Sequence, residues 1–379
     1  MSASSEVANA DAARAAAAFR LPGEVATAER FGSGHIHDTF VVSCVGDPRR
    51  ILLQRINASV FPDPQRVVDN VARVSAHLRA RLAADTRTDP DRRCLHCIPT
   101  RADALAHVDA SGGVWRSFEF IEGAHTESTV TSAAKAREAA RAFGAFVAAL
   151  ADFAEPLPEP IPGFHDFDAR SAAFDRSVAA DTAGRGAAVR DEIRAMRDAR
   201  EGVRAALPPA ALGALPRRLV HNDCKLDNVM FDDASGEALC VVDLDLVMPG
   251  SVLFDFGDLV RTAASPAAED ERDLSRVRPD PALFDALAGG YLEGAGAILD
   301  AEEVAGLALA GPLITLETAM RFLADHLDGD VYFRIGRAGH NLDRARAQLR
   351  LAEMLLADVP RAREAVAAAA RGSRLAPPG

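Results

Sequence analysis

Residues 218 to 243 read as strand, loop and strand set inside an otherwise helical half of the chain. Arg218-Leu219-Val220-His221 and Ala238-Leu239-Cys240-Val241-Val242-Asp243 are short and apolar, as buried strands are. Between them runs His221-Asn222-Asp223-Cys224-Lys225-Leu226-Asp227-Asn228, an H-x-D-x-x-x-x-N spacing, and Asp243 follows Asn228 by fifteen residues at the end of the second apolar run. A loop this polar between strands this apolar must sit at the edge of a packed core. The fold therefore needs a small β element embedded among helices.

That spacing is the arrangement used by protein-kinase-like phosphotransferases. Phosphoryl transfer needs one carboxylate to accept the proton of an attacking hydroxyl, and hard oxygen ligands to hold Mg²⁺ against the ATP phosphates. Asp223 suits the first task, and Asn228 with Asp243 the second. Only Lys135 and Lys225 are lysines among 43 basic residues. An ammonium at position 225 suits a catalytic contact that neutralises the moving phosphoryl group. His221 reads as a buried hydrogen-bonding residue that shapes the loop.

Composition narrows the class. The chain has 379 residues, 49% of them hydrophobic and 26% charged, which is globular composition of two-lobe length. The net charge of −12 argues against a nucleic-acid surface. The longest uncharged stretch, Val304 to Leu316, falls short of the roughly 20 apolar residues that span a bilayer. Glu6, Asp11, Arg14 and Arg20 interrupt the N-terminus, so no signal-peptide pattern is read there. The expectation is a cytoplasmic protein without a membrane or nucleic-acid partner, its oligomeric state unspecified. Five cysteines fit reduced thiols better than a disulfide framework. Cys94-Leu95-His96-Cys97 is half a zinc spacing without a second half.

Strand-like patterns occupy the first third: Thr39 to Val45, Arg50 to Ile56, Cys94 to Ile98, Ala104 to Val108 and Val114 to Ile121. Gln65 to Leu82 repeats apolar residues at three- and four-residue spacing, which predicts an amphipathic helix. Long Ala- and Arg-rich runs follow: Thr131 to Phe153, Phe167 to Leu207, and Pro281 to Ala369. The fold class predicted is α+β, with a small five-stranded antiparallel sheet and one main helix ahead of a larger helical part. The expected boundaries are an N-terminal extension at 1–21, a nucleotide-binding lobe at 22–121, a linker at 122–130, a helical lobe at 131–370 and a mobile tail at 371–379.

Three segments, His221 to Phe231, Val242 to Gly250 and Phe254 to Arg261, resemble the aminoglycoside phosphotransferase and choline kinase superfamily. Gly32 to Phe40, Leu53 to Phe61 and Arg321 to Phe333 resemble most closely its N-acetylhexosamine 1-kinases, which phosphorylate the anomeric hydroxyl of GlcNAc or GalNAc. The resemblance covers about residues 22 to 355 and implies a bilobal protein-kinase-like fold. It implies Asp223 as base, Asn228 and Asp243 as Mg²⁺ ligands, and Gly32 and Gly34 as backbone that approaches ATP. It also implies a hinge at Phe118 to Ile121, where Glu119 and Ile121 would meet adenine. In two places the chain departs from the pattern. No lysine lies on the third strand, where Arg55 is the basic side chain in position, with Asp69 its nearest candidate partner. His37 stands where the subgroup usually carries Asn.

Leu316, Met320, Leu323 and Leu327 make one apolar face of a helical run, with Arg321 beside it and Asp330 and Tyr332 in the loop beyond. A cation, a carboxylate and an amphipathic ring are groups that grip sugars, and the resemblance implies Arg321 and Tyr332 as sugar contacts. Two other readings stay open: an aminoglycoside or amino-alcohol kinase, and a nucleotide-binding regulator without turnover.

Overall fold

The computed structural model describes residues 3–32, 36–84 and 89–375. Five strands, β1 (Val25–Arg30), β2 (Asp38–Cys44), β3 (Asp47–Arg55), β4 (His107–Val108) and β5 (Val114–Glu119), form an antiparallel sheet in the order β1-β2-β3-β5-β4. Strand alternation gives this sheet two working faces. Phe40, Val42, Ile51, Leu53 and Trp115 point outward, where α1 (Ala3–Ala16) covers them with Ala12, Ala15 and Ala16. Residues expected as an extension thus form part of this lobe's core. Leu52 and Phe118 point inward, toward α2 (Pro64–Ala83) and its buried Val67, Val68, Val71 and Val74. Asp63 caps α2 by accepting from the Arg66 N–H.

The strand count matches the expectation, but the membership differs. The expected strand at Cys94 to Ile98 is instead an irregular segment that follows a short helix, α3 (Pro90–Arg93). That segment touches β5 through single contacts: Ile98 N–H donates to Ser117 O at 2.8 Å and Glu119 N–H to His96 O at 3.0 Å. Pro99 brings no N–H, so a ladder cannot continue there. The fifth strand is β1, beside β2 at the opposite edge, and its largely exposed residues hid it.

The second lobe opens with β6 (Ala124–Thr126) and α4 (Ala133–Ala149), then α5 (Phe167–Ala180), α6 (Arg190–Ala206) and α7 (Pro209–Ala214). The run expected to be largely helical from Phe167 to Leu207 is divided at Asp181, whose left-handed backbone (φ 37°) caps α5. Strands β7 (Arg218–Val220), β8 (Val229–Asp232), β9 (Ala238–Val241) and β10 (Met248–Gly250) form two small sheets, β10-β7 and β6-β8-β9. Helices α8 (Val252–Ala263), α9 (Pro281–Ala295), α10 (Ala301–Asp328), α11 (His340–Ala357) and α12 (Val359–Leu375) complete the lobe. Helices α4 and α9 meet at Gly290, where a Cβ would lie 2.1 Å from Arg137 O. Among the described residues α10 is the one helix long and apolar enough to cross a membrane, and 89% of its apolar window is buried inside the fold. The tail expected to be mobile is helical through Leu375; its last four residues lie outside the described ones.

Candidate active site

The loop between β7 and β8 is held from below by α8. Asp255, fully buried, accepts the backbone N–H groups of His221 at 2.9 Å and Asn222 at 2.7 Å. Burial pushes its carboxyl above the usual range. His221 completes the anchorage. Its Nδ1 accepts from the Asp223 N–H at 3.3 Å, so its Nε2–H donates to Val242 O at 2.9 Å. Edge-on contacts with Phe143 and Phe146 fill the space around the ring. The shaping role expected for His221 is what its bonds describe.

On this base the chemically active side chains converge. Asp223 Oδ2 accepts from Asn228 Nδ2 at 2.8 Å and lies 2.9 Å from Lys225 Nζ. Burial works against the charge on Asp223, but the Lys225 ammonium overcomes it and holds the carboxyl below the usual range. Reciprocally, Asp223 raises Lys225 above an ordinary lysine. Such a carboxylate is ionised at neutral pH, as an acceptor of a hydroxyl proton must be.

Asn228 spends its amide N–H groups on Asp223, and its Oδ1 has no hydrogen-bond partner among the described residues. Asp243 follows β9 with a left-handed backbone (φ 60°), a conformation that turns the chain sharply at this point. Burial, then the neighbouring Asp245 and Asp223, push the Asp243 carboxyl up. Its carboxylate has no hydrogen-bond or ion-pair partner among the described residues. An amide oxygen and an unpartnered carboxylate amid negative charge are the donor set of a hard divalent cation.

The structure also joins groups that the sequence did not connect. Asp245 is buried and receives two donors from the other lobe. Arg116 on β5 bonds it at 2.5 and 2.8 Å, and His37 Nε2 lies 2.5 Å away. Burial opposes the charge on Asp245, but Arg116 and His37 keep it far below the usual range. His37 Nδ1 accepts from the Asn57 N–H, and its ring stacks on Phe61. Arg116, between Trp115 and Ser117 and 129 positions from Asp245, carried no local signal.

Arg55 is not among the groups brought together. It is paired with Trp115 on the outward face, where its guanidinium bonds Ser111 Oγ at 3.1 Å. Asp69, its candidate partner, is exposed and bonded to Gln65. Gly32 has φ 77°, a backbone only glycine adopts freely, and Gly34 lies outside the described residues. At the junction of the lobes, Ile121 is buried and the Glu119 side chain lies 3.1 Å from His96. Cys94 and Cys97 are free thiols, pushed by burial to about 12 and about 11.

A second cluster adjoins the loop. The Arg321 guanidinium lies over the rings of Phe164, Phe333 and Tyr332 at 5.3, 5.4 and 5.8 Å, with no carboxylate partner among the described residues. Tyr332 is 59% exposed, and so is available to a ligand. Asp325 places that ring: its carboxylate accepts the N–H groups of Val331, Tyr332 and Phe333 at 2.9, 2.8 and 2.9 Å. Asp330, expected beside Arg321 as a sugar ligand, is turned away from solvent. Arg185 and Asn341 occupy its two oxygens at 2.6 and 3.0 Å. His165 connects the clusters, lying 2.9 Å from Glu317 Oε1 and 3.2 Å from Asn222 O.

Comparison with solved structures finds this fold elsewhere. A microcompartment-associated aminopropanol kinase is similar with TM-score 0.59 and 16% identity, over 93% of this chain and 96% of that one. An aminoglycoside phosphotransferase from Alicyclobacillus acidocaldarius gives 0.57 and 14%, over 94% and 96%. A choline/ethanolamine kinase family protein from Mesorhizobium loti gives 0.52 and 19%, over 97% and 99%. The two-lobed architecture is thus the protein-kinase-like one expected. The profile of the phosphotransferase enzyme family matches residues 27–307, a span that takes in all but the first residues of the five-stranded sheet and the loop groups from His221 to Asp255. On that match, with the loop geometry behind it, the chain belongs to the phosphotransferase enzyme family.

Proposed function

We propose that this phosphotransferase moves the γ-phosphoryl group of ATP onto a hydroxyl of a small acceptor, and that the acceptor is an N-acetylhexosamine phosphorylated at its anomeric oxygen. The observation that carries the reading is the ionised Asp223, fixed by Asn228 and Lys225 beside the open oxygens of Asn228 and Asp243. Asp223 accepts the proton of the acceptor hydroxyl as that oxygen attacks. Lys225 stands beside it, where an ammonium offsets negative charge on the transferring phosphoryl group. Asn228 Oδ1 and Asp243 would hold Mg²⁺, which when bound offsets the charge of the nucleotide phosphates. Gly32 leaves the phosphate-side turn free of a side chain, and the backbone near Glu119 and Ile121 suits an adenine edge.

The acceptor reading is supported by the unpaired Arg321 beside Tyr332. A guanidinium donates to carbonyl and hydroxyl oxygens, and an exposed ring packs on a sugar face. Arg170 lies close by, also without a carboxylate partner among the described residues, and its burial and the Arg321 charge both lower it. Two such cations favour an acceptor rich in oxygens over a polyamine. The structurally similar aminopropanol kinase, aminoglycoside phosphotransferase and choline/ethanolamine kinase family protein support a second reading, an amino alcohol or aminoglycoside acceptor. One screen separates them: ATP consumption over GlcNAc, GalNAc, hexoses, choline, ethanolamine and aminoglycosides, with NMR location of the new phosphate. Phosphate at the anomeric oxygen of an N-acetylhexosamine is the expected result. Turnover with amines alone would favour the second reading, and nucleotide binding without any turnover would favour a regulator.

A further inference from the structure

Protein-kinase-like enzymes commonly place a phosphate-binding lysine on the third strand and pair it with a helix carboxylate. Here β3 turns Arg50, Leu52 and Gln54 to the same face; Arg50, at the linker end, is taken by Glu122, and Gln54, at the other end, is not a cation. Gln54, however, stands directly across from Arg116 on β5. Its amide oxygen accepts from Arg116 Nε at 3.0 Å and Nη2 at 2.8 Å. The same guanidinium reaches Asp245 through Nη1 and Nη2. Four of its five N–H groups are therefore engaged, and one on Nη1 meets no protein acceptor among the described residues.

Arg116 is 4% exposed and Asp245 2%. A buried ion pair is weak evidence for stability, because desolvation consumes much of the attraction. The position of this pair supplies a different reason for it. It joins β5 to the turn that bears Asp243, and His37, from the chain that leads out of the glycine turn into β2, closes on the same carboxylate. Those three pieces border the place where nucleotide phosphates would lie.

We propose that Arg116 is the cation of the nucleotide phosphate site, supplied by β5 where the facing residue of β3 is Gln54, with Asp245 as its acid partner in place of a carboxylate on α2. The proposal rests on the nucleotide reading above. It accounts for why Arg55 faces outward and why Asp69 is left exposed: the pair they were expected to make is built elsewhere. It also ties the two lobes together at the phosphates, so that the cation and the metal turn keep a fixed spacing.

The test is calorimetric titration of the full chain with ADP, and with adenosine as the ligand that lacks phosphates. Arg116→Met is expected to weaken ADP by about ten- to a hundredfold and to leave adenosine within about twofold, the range of a lost charge-assisted contact. Gln54→Lys combined with Arg116→Met returns a cation to the same face from β3, and should recover most of the ADP affinity. If Arg116→Met alone does not fold, Arg116→Lys and the double variant carry the test, and both are expected to bind ADP. Unchanged ADP affinity in folded Arg116→Met would overturn the proposal. So would an equal loss of ADP and adenosine, or a folded double variant or Arg116→Lys that fails to bind ADP. Wild-type protein that binds no ADP would instead remove the nucleotide reading itself.

Discussion

His165 and Glu317 form a buried pair behind the catalytic loop, 2.9 Å apart from Nδ1 to Oε1, while the other ring nitrogen meets the carbonyl of Asn222 at 3.2 Å. With acceptors at both nitrogens, the ring donates twice and carries both protons. Burial opposes that charge, but Glu317 outweighs it and holds the ring above the usual histidine range. Arg321 lies one helical turn beyond Glu317. One face of α10 therefore steadies the residue before Asp223 and presents the acceptor-side cation.

This pair predicts a pH dependence of stability. A histidine raised on folding stabilises fully below its unfolded value of 6.5, and that contribution is lost as pH rises through the folded value. Melting curves from about pH 6 to about pH 9 should show wild type losing stability relative to Glu317→Gln, with each unit of displacement worth about 1.4 kcal/mol. A wild-type-minus-variant difference that is flat with pH would mean that His165 is neutral.

Asp223→Asn keeps the shape of the loop but cannot accept the hydroxyl proton. Turnover should fall roughly 10²–10⁴-fold while ADP still binds. Near wild-type rates, measured by phosphate transfer under saturating substrates, would remove Asp223 from the chemistry.

Removing the carboxylate of Asp243 takes one hard ligand from the metal position. Asp243→Ala should weaken nucleotide binding strongly when Mg²⁺ is present and little when it is chelated. Titrations with and without chelator check this, and equal losses would make Asp243 structural.

On the acceptor side, Arg321→Ala should raise the KM for the hexosamine roughly ten- to 150-fold, as loss of a charge-assisted hydrogen bond does, and leave the KM for ATP nearly unchanged. Steady-state kinetics that vary each substrate in turn provide the measurement. An unchanged sugar KM in a folded variant would remove Arg321 from the acceptor site.

The loop proposed as catalytic stands out in the sequence because its parts are close in the chain. Asp223, Lys225 and Asn228 fall within six residues, and the intervening geometry is a short turn that few sequences satisfy. Asp243 was legible because a β-strand has a fixed rise and β9 must return beside β8. The helix at 64–83 was legible from its period alone.

What the tertiary structure decided is which face of each strand looks inward and which distant groups meet. Alternation along β3 is plain in the sequence, yet a shift of one residue exchanges Gln54 for Arg55, and only packing against α1 on one side and α2 on the other selects between them. Arg116 and Asp245 are 129 residues apart, and His37 and Asp245 are 208 apart. Asp330 looked like a ligand until Arg185, 145 residues earlier, was folded onto it. Local period and spacing reflect forces that act within a few residues, and these the sequence displays by itself. A buried charge takes whichever partner the fold brings near, and nothing in its own neighbourhood of the chain records that choice.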